Sequence, residues 1–237
     1  MKIKHVAEIF SSFQGEGLFV GERQVFVRFA KCNLRCRYCD TGDLASKTVS
    51  LDRLVKRINA LDKNKICHSV AITGGEPLIH TDGLKSLLPA LKRLGYRIYL
   101  ETNGTLASKL KEVIEFLDYI AMDIKLPSAA GLTKALWAEH RLFLKMANSC
   151  FRGKNRGDLF VKAVITAGLR PAEFKKAVGV ISGINKNIPL VLQPVTPLGK
   201  VGEKVKEEEI VRLFKAAKQE LRQVLVIPQT HKILGVK

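Results

Sequence analysis

The chain has 237 residues, 46% of them hydrophobic, and a formal net charge of +18 from 40 Lys and Arg against 22 Asp and Glu. That length suits one domain burying about 70–75% of its unfolded surface. No apolar run approaches the roughly 20 residues of a bilayer span, and residues 1–10 lack a secretory apolar stretch, which excludes membrane-spanning and exported classes and predicts a cytoplasmic protein.

The segment before Gln14 alternates and then breaks at Gln14-Gly15-Glu16-Gly17, where two glycines permit a tight turn close to a ligand. Gly21 breaks the chain again. Residues 24–29 read as a strand with Val25, Val27 and Phe29 on one face and Phe26 and Arg28 on the other. An arginine in this apolar setting points to a carboxylate partner, and its fork suits a bidentate pairing with a substrate acid; an exposed edge-strand arginine is the plain alternative. The strand runs into KCNLRCRYCDT, which places Cys32, Cys36 and Cys39 in a C-x3-C-x2-C array. Structural zinc takes four ligands, and an ordinary cubane carrier uses four cysteines, so three thiols leave one iron of a cube open. The competing reading is a zinc loop completed by His68 or Cys67. Cys67 and Cys150 otherwise read as buried thiols in a reducing compartment.

Ser50 can cap a helix carrying Leu51, Leu54, Val55, Ile58 and Leu61 at helical spacing. A strand at 69–73 ends in Thr73-Gly74-Gly75-Glu76-Pro77, and a helix at 82–94 is stopped by Gly95. The alternation continues with strands at 97–102, 119–124, 159–165, 190–193 and 224–228. Helices are predicted at 107–117, 132–149, 172–181 and 205–221, with Trp137 as packing and 154–158 as a basic loop. About six β/α units with polar strand tips on one rim predict an α/β fold, an open partial TIM-type barrel. The positive charge raises nucleic-acid binding. However, Lys and Arg are spread over helices with Glu and Asp interleaved, so solvated faces and attraction to anionic ligands explain it more cheaply.

The cysteine loop followed by TGGEP resembles the radical S-adenosylmethionine superfamily, in which the methionine amino and carboxylate groups fill the open iron site and the reduced cluster releases a 5'-deoxyadenosyl radical. Three further features, EIFSSFQGEG, the loop continuing into Asp40-Thr41, and the closing QTHK, are similar to the 7-carboxy-7-deazaguanine synthase family. The resemblance implies a single domain over 1–237, with a substrate loop near 10–20 and a substrate-binding tail near 228–237. It implies a lyase turning 6-carboxy-5,6,7,8-tetrahydropterin into 7-carboxy-7-deazaguanine by radical ring contraction with loss of ammonia, feeding queuosine and related 7-deazapurines. The implied cofactors are a [4Fe-4S] cluster on Cys32, Cys36 and Cys39, S-adenosylmethionine, and Mg2+ at Thr41.

On the same resemblance Phe13, Gln14, Gly15, Glu16, Arg28, Thr73, His231 and the α-carboxylate of Lys237 contact the pterin. Tyr38, Cys39, Asp40, Gly75, Asp123, Ile124, Lys125, Gln193 and Thr196 line the cofactor. No side chain stands out as a general acid or base, consistent with a cofactor that carries the hard chemistry. An acidic electron donor such as a flavodoxin would dock on Lys31, Arg35 and Arg37, and the family implies a homodimer. The segment 128–158, with DIKLPSAAG, Trp137 and His140, is also reminiscent of glycyl-radical-enzyme activases, the alternative enzyme reading. A metal-containing nucleic-acid-binding protein is the non-enzymatic one.

Overall fold

The alternating N-terminal pattern forms a long strand, β1 (Lys2–Phe13), antiparallel to β2 (Arg23–Phe29). A short edge strand missed in the sequence, β3 (Lys47–Ser50), pairs with the other side of β1. The computed structural model describes residues 1–39, 42, 44–151, 159–197 and 201–236. From β2 onward strand and helix alternate: α1 (Leu51–Leu61), β4 (Ser69–Gly74), α2 (Thr81–Arg93), β5 (Ile98–Thr102), α3 (Ala107–Lys111), β6 (Tyr119–Asp123), α4 (Pro127–Ala130), α5 (Trp137–Phe151), β7 (Leu159–Ile165), α6 (Pro171–Ser182), β8 (Leu190–Pro194), α7 (Glu207–Lys218), β9 (Val224–Val226) and α8 (Thr230–Leu234). The sheet order is β3-β1-β2-β4-β5-β6-β7-β8-β9, with parallel pairing from β2 to β9. The two ends of that order do not meet, so the barrel is open, as the repeat count predicted.

Because strand side chains alternate between faces, each strand feeds two cores. The helix-covered face takes Val25, Val27, Phe29, Val70, Ile72, Ile98, Leu100, Ile120, Val161 and Leu192. The concave face is filled by Phe26, Ala71, Tyr99, Ala121, Phe160 and Val191, with Phe19 set against Tyr99, Tyr119 and Phe160. Gly17 lets the chain cross here: a Cβ would lie 2.6 Å from the Phe160 ring. Two residues further along each of these strands, on the same face, the side chains become polar: Arg28, Thr73, Glu101, Asp123, Lys162 and Gln193. One step of the period-2 pattern thus converts a packed apolar floor into a polar ring at the carboxyl rim, where α/β barrels carry their chemistry.

Several helix boundaries differ from the sequence reading. Ser50 does cap α1, its hydroxyl accepting Arg53 N–H at 3.3 Å. The helix predicted over 107–117 is split into α3 and a 3-10 turn at Ile114–Phe116, because Val113 takes φ −135° and leaves the helical region. The helix predicted from 132 begins at Trp137 instead: Pro127 opens α4 and Gly131, at φ +71°, ends it. Helix α5 buries His140, Phe143, Leu144 and Ala147 and packs on α3 and α6. The inserted segment is therefore the crossover between β6 and β7, and the described part of it lies on the helical layer. Residues 154–158 fall outside the described residues. The final strand stops at Val226, and the tail forms α8, which the sequence reading did not foresee.

Candidate active site

The QGEG turn folds down onto the polar ring. Gln14 is buried and donates to Gln24 Oε1 at 3.0 Å and to Glu101 Oε1 at 2.8 Å, while its own Oε1 accepts Glu16 N–H at 3.1 Å. The other oxygen of Glu101 accepts the Thr73 hydroxyl at 2.6 Å. Lys162 donates to Glu16 Oε2 and sits 3.7 Å from Asp123 Oδ2, joining the turn to β6. The tail closes over the turn: Gln229 Nε2 donates to Glu16 Oε1 at 2.8 Å, and Thr230 donates its N–H to the Gly15 carbonyl at 2.9 Å. His231 lies so close to Gly15 that a Cβ there would be 2.2 Å from its Nδ1, which explains the glycine. Phe13, half-exposed, ends β1 beside this turn.

Arg28 does meet a carboxylate, but from its own sheet. Glu8 lies opposite it across a register shift in β1, and the two pair at 3.1 Å. The guanidinium also lies 5.1 Å above the Phe10 ring, and its Nε is buried with no hydrogen-bond partner.

Burial by itself raises the Glu16 carboxyl; the charge of Lys162 and the Gln229 amide outweigh it and bring the carboxyl from 4.5 to about 2. A folded pKa below the unfolded one means that the native state holds fewer protons between the two values. The stability from this pair is therefore fully present above about pH 4.5 and lost as pH falls towards about 2. A shift of this size corresponds to about 3 kcal/mol. Glu16→Gln should remove that component from the acid denaturation of the cluster-free protein, followed by circular dichroism; an unchanged acid limb would show that the pair contributes nothing to stability.

Beside this ring lies the cysteine loop. Lys31 enters it at φ +68°. The GGE stretch runs directly along it, Gly75 N–H donating to the Phe29 carbonyl and Glu76 N–H to the Lys31 carbonyl, both at 2.9 Å. A Cβ on Gly75 would lie 1.9 Å from the Lys31 oxygen and one on Gly74 2.0 Å from the Phe29 oxygen, so this seam tolerates only glycine. The Glu76 carboxylate accepts Leu78 N–H at 3.0 Å, the Thr102 hydroxyl at 2.9 Å and Asn103 N–H at 2.7 Å; burial still lifts it to about 7. Arg37 donates to the Ala129 carbonyl at 2.9 Å and the Thr166 hydroxyl at 3.2 Å. It nevertheless remains exposed, as do Lys31 and Arg35.

Do these residues fit a four-iron cluster and its nucleotide? None of the five cysteines forms a disulfide, and burial pushes the Cys32 and Cys36 thiols above their ordinary range, so metal binding would release their protons. Among the described residues no three His, Cys, Asp or Glu side chains converge on a single ion. In a cubane each thiolate holds its own iron, so its ligands do not converge either. The zinc reading fails on topology. His68 and Cys67 precede β4, whereas the cysteine loop lies past its far end, about 17 Å of strand away. His68 is set between Phe19 and Tyr119 instead.

The nucleotide side of the fit rests on two orphaned acceptors, Asp123 Oδ1 and Gln193 Oε1, both buried without a partner at the tips of β6 and β8. Burial works against the charge of Lys125, but Asp123, at 2.9 Å, holds its pKa well above the ordinary value; the ammonium also lies 5.2 Å from the Tyr38 ring. Ile124 sends its side chain into the helix-covered core, and its N–H donates to the Lys162 carbonyl at 2.8 Å. Thr196 N–H donates to Gln229 Oε1 at 3.3 Å, tying this edge to the tail. Asp40, Thr41 and Lys237 lie outside the described residues. Sequence reasoning missed Glu101, Lys162 and Gln229 as site residues, and Glu8 as the partner of Arg28. For Glu101 and Lys162 the signal was a lone charge on an apolar strand, the same signal that singled out Arg28.

Comparison with known proteins gives one family model, the Radical SAM superfamily, over residues 26–141. A 7-carboxy-7-deazaguanine synthase of Geobacter sulfurreducens is 39% identical, covering 96% of both chains. One from Archaeoglobus fulgidus is 36% identical over 98% of this chain and 99% of its own. Among solved structures, QueE from Escherichia coli superposes with a TM-score of 0.61 at 19% identity, covering 95% of this chain and 93% of that one. A radical SAM methyltransferase from Sphaerobacter thermophilus gives 0.65 at 16% identity over 87% and 66%. These two likenesses are of fold.

Proposed function

Because the chain belongs to the 7-carboxy-7-deazaguanine synthase family, within the radical S-adenosylmethionine superfamily, we propose that its carboxyl rim converts 6-carboxy-5,6,7,8-tetrahydropterin into 7-carboxy-7-deazaguanine with loss of ammonia. The chain is a lyase of 7-deazapurine biosynthesis. The observation that carries the assignment of sites is the polar ring, which sets the QGEG turn and the tail on one side and the cysteine loop on the other.

When bound to Cys32, Cys36 and Cys39, a four-iron cluster with S-adenosylmethionine supplies the one-electron chemistry that begins the reaction. The chain's own residues position and enclose. Asp123 Oδ1 and Gln193 Oε1 offer unpaired acceptors to the nucleotide. Gly75, its N–H held by the Phe29 carbonyl, has its own carbonyl to offer the methionyl group. The Gly15 turn, Thr73, Glu101 and His231 hold the pterin edge, and Arg28, with its unpaired Nε, takes the carboxylate by displacing or sharing Glu8. Glu16 and Gln229 keep the tail over the substrate and water out. Thr41 supplies the hard oxygen for Mg2+, and Lys237 a further pterin contact. A cytoplasmic homodimer belongs to the same reading.

Anaerobic reconstitution with dithionite, S-adenosylmethionine, Mg2+ and carboxytetrahydropterin should yield the deazaguanine acid by mass spectrometry, and omission of Mg2+ should lower the yield. Absence of product with an intact cluster would overturn the substrate assignment. Exposed Lys31 and Arg35 beside the cysteine loop support docking of an acidic electron donor such as a flavodoxin. With flavodoxin in place of dithionite, turnover should fall several-fold as salt rises from about 0.05 to 0.5 M, because screening shortens the reach of exposed charges; a rate indifferent to salt would remove that docking face.

A further inference from the structure

On the reading that Cys32, Cys36 and Cys39 hold a four-iron cluster, we propose that Asn103 is a positioning residue for that cluster: its side-chain N–H is directed at Cys32 Sγ and raises the cluster's reduction potential. Asn103 follows β5 and is 5% exposed. Its amide orientation follows from its neighbours. Thr105 donates both its backbone N–H, at 3.1 Å, and its hydroxyl, at 2.6 Å, to Asn103 Oδ1, so that atom must be the oxygen. Nδ2 is left facing Cys32 Sγ at 3.8 Å and Asn33 Oδ1 at 2.9 Å. The Thr105 hydroxyl, its proton committed to Asn103, accepts from Asn33 Nδ2 at 2.9 Å, which closes a ring of three side chains with every hydrogen placed.

The main chain of Asn103 is pinned as well. Its N–H donates to Glu76 Oε2 at 2.7 Å, and its carbonyl accepts the Nε2–H of buried His140 at 3.1 Å. Cys32 Sγ thus receives two N–H donors, from Leu34 at 3.4 Å and from Asn103. Donors to a cluster sulfur draw off negative charge. They favour the reduced, more negative state, so the potential rises.

Asn103→Asp keeps the shape and the acceptor for Thr105 but exchanges the donor for a second oxygen. After anaerobic reconstitution, iron and sulfide content should match the parent. The midpoint, from a titration followed by electron paramagnetic resonance, should fall by an amount equal to about a tenfold weaker reduction equilibrium, ~59 mV for one electron. Asn33→Ala removes the competing acceptor and leaves the sulfur contact, so its midpoint should stay or rise; a purely structural role would not separate the two variants by sign. An unchanged midpoint in Asn103→Asp overturns the inference. If that variant assembles no cluster, Asn103→Leu decides. With the donor removed and no charge added, the midpoint must still fall, and a parental value overturns the proposal. Parent protein that takes up no four-iron cluster would fail the underlying reading instead.

Discussion

Replacing Cys36 by alanine should abolish deazaguanine formation, by roughly 10³-fold or more, since loss of groups that merely support metal ligands already costs about 10–100-fold. The iron bound after reconstitution should fall in parallel, while circular dichroism stays that of the parent. Cys67→Ala and Cys150→Ala serve as controls. Neither thiol lies on the loop, and Cys67 sits near Ser11 with its Sγ 3.9 Å from that hydroxyl, so both variants should bind iron normally. Undiminished turnover in Cys36→Ala would end the three-thiolate account, and with it the site placed at the carboxyl rim.

Lys162→Met should be the most damaging change away from the loop. Lys162 is the cation that Glu16 and Asp123 share, and burial works against its charge while those carboxylates hold its pKa above the ordinary lysine value. Removing one partner of a buried pair leaves an uncompensated charge and typically costs about 3–5 kcal/mol. The double variant with Glu16→Gln should recover much of that loss in urea unfolding of the cluster-free protein. Turnover should not recover with it: the QGEG turn would no longer be tied to β6, and misplacement on the scale of 1 Å costs about 10²-fold in rate. Parental kcat/KM in Lys162→Met would show that the tie has no part in positioning.

Which parts of this were readable in the chain? The cysteine loop and TGGEP were, because short spacing between unusual residues leaves few alternatives. So was the two-faced character of β2, where Phe26 and Arg28 fall on one side as the alternation requires. Two members of the polar ring, Glu101 and Lys162, were not recognised, since each is a single polar residue whose meaning depends on five neighbouring strands lying in register. The register also decides that Arg28 faces Glu8, a pairing set by an irregularity in β1 that no local pattern announces. The shortened start of α5 was legible in principle: Pro127 and Gly131 bracket a one-turn helix, and the apolar periodicity running past them obscured it. Gln229 stood in the QTHK motif, but its role was not readable there, because its partner Glu16 lies 213 positions away in the chain.

The clasp between Thr230 and Gly15 joins residues 215 positions apart. Closing so long a loop carries an entropic penalty that local β/α units avoid, so this contact should be among the last to form and the first to open. Core and rim therefore mature on different clocks: the barrel can be complete while the substrate mouth is still ajar. On the proposed reading, a chain caught in that interval would have its sulfur loop assembled and nothing to retain a pterin. On the proposed placement of the substrate, the contact that encloses it would thus also withhold it until folding has finished.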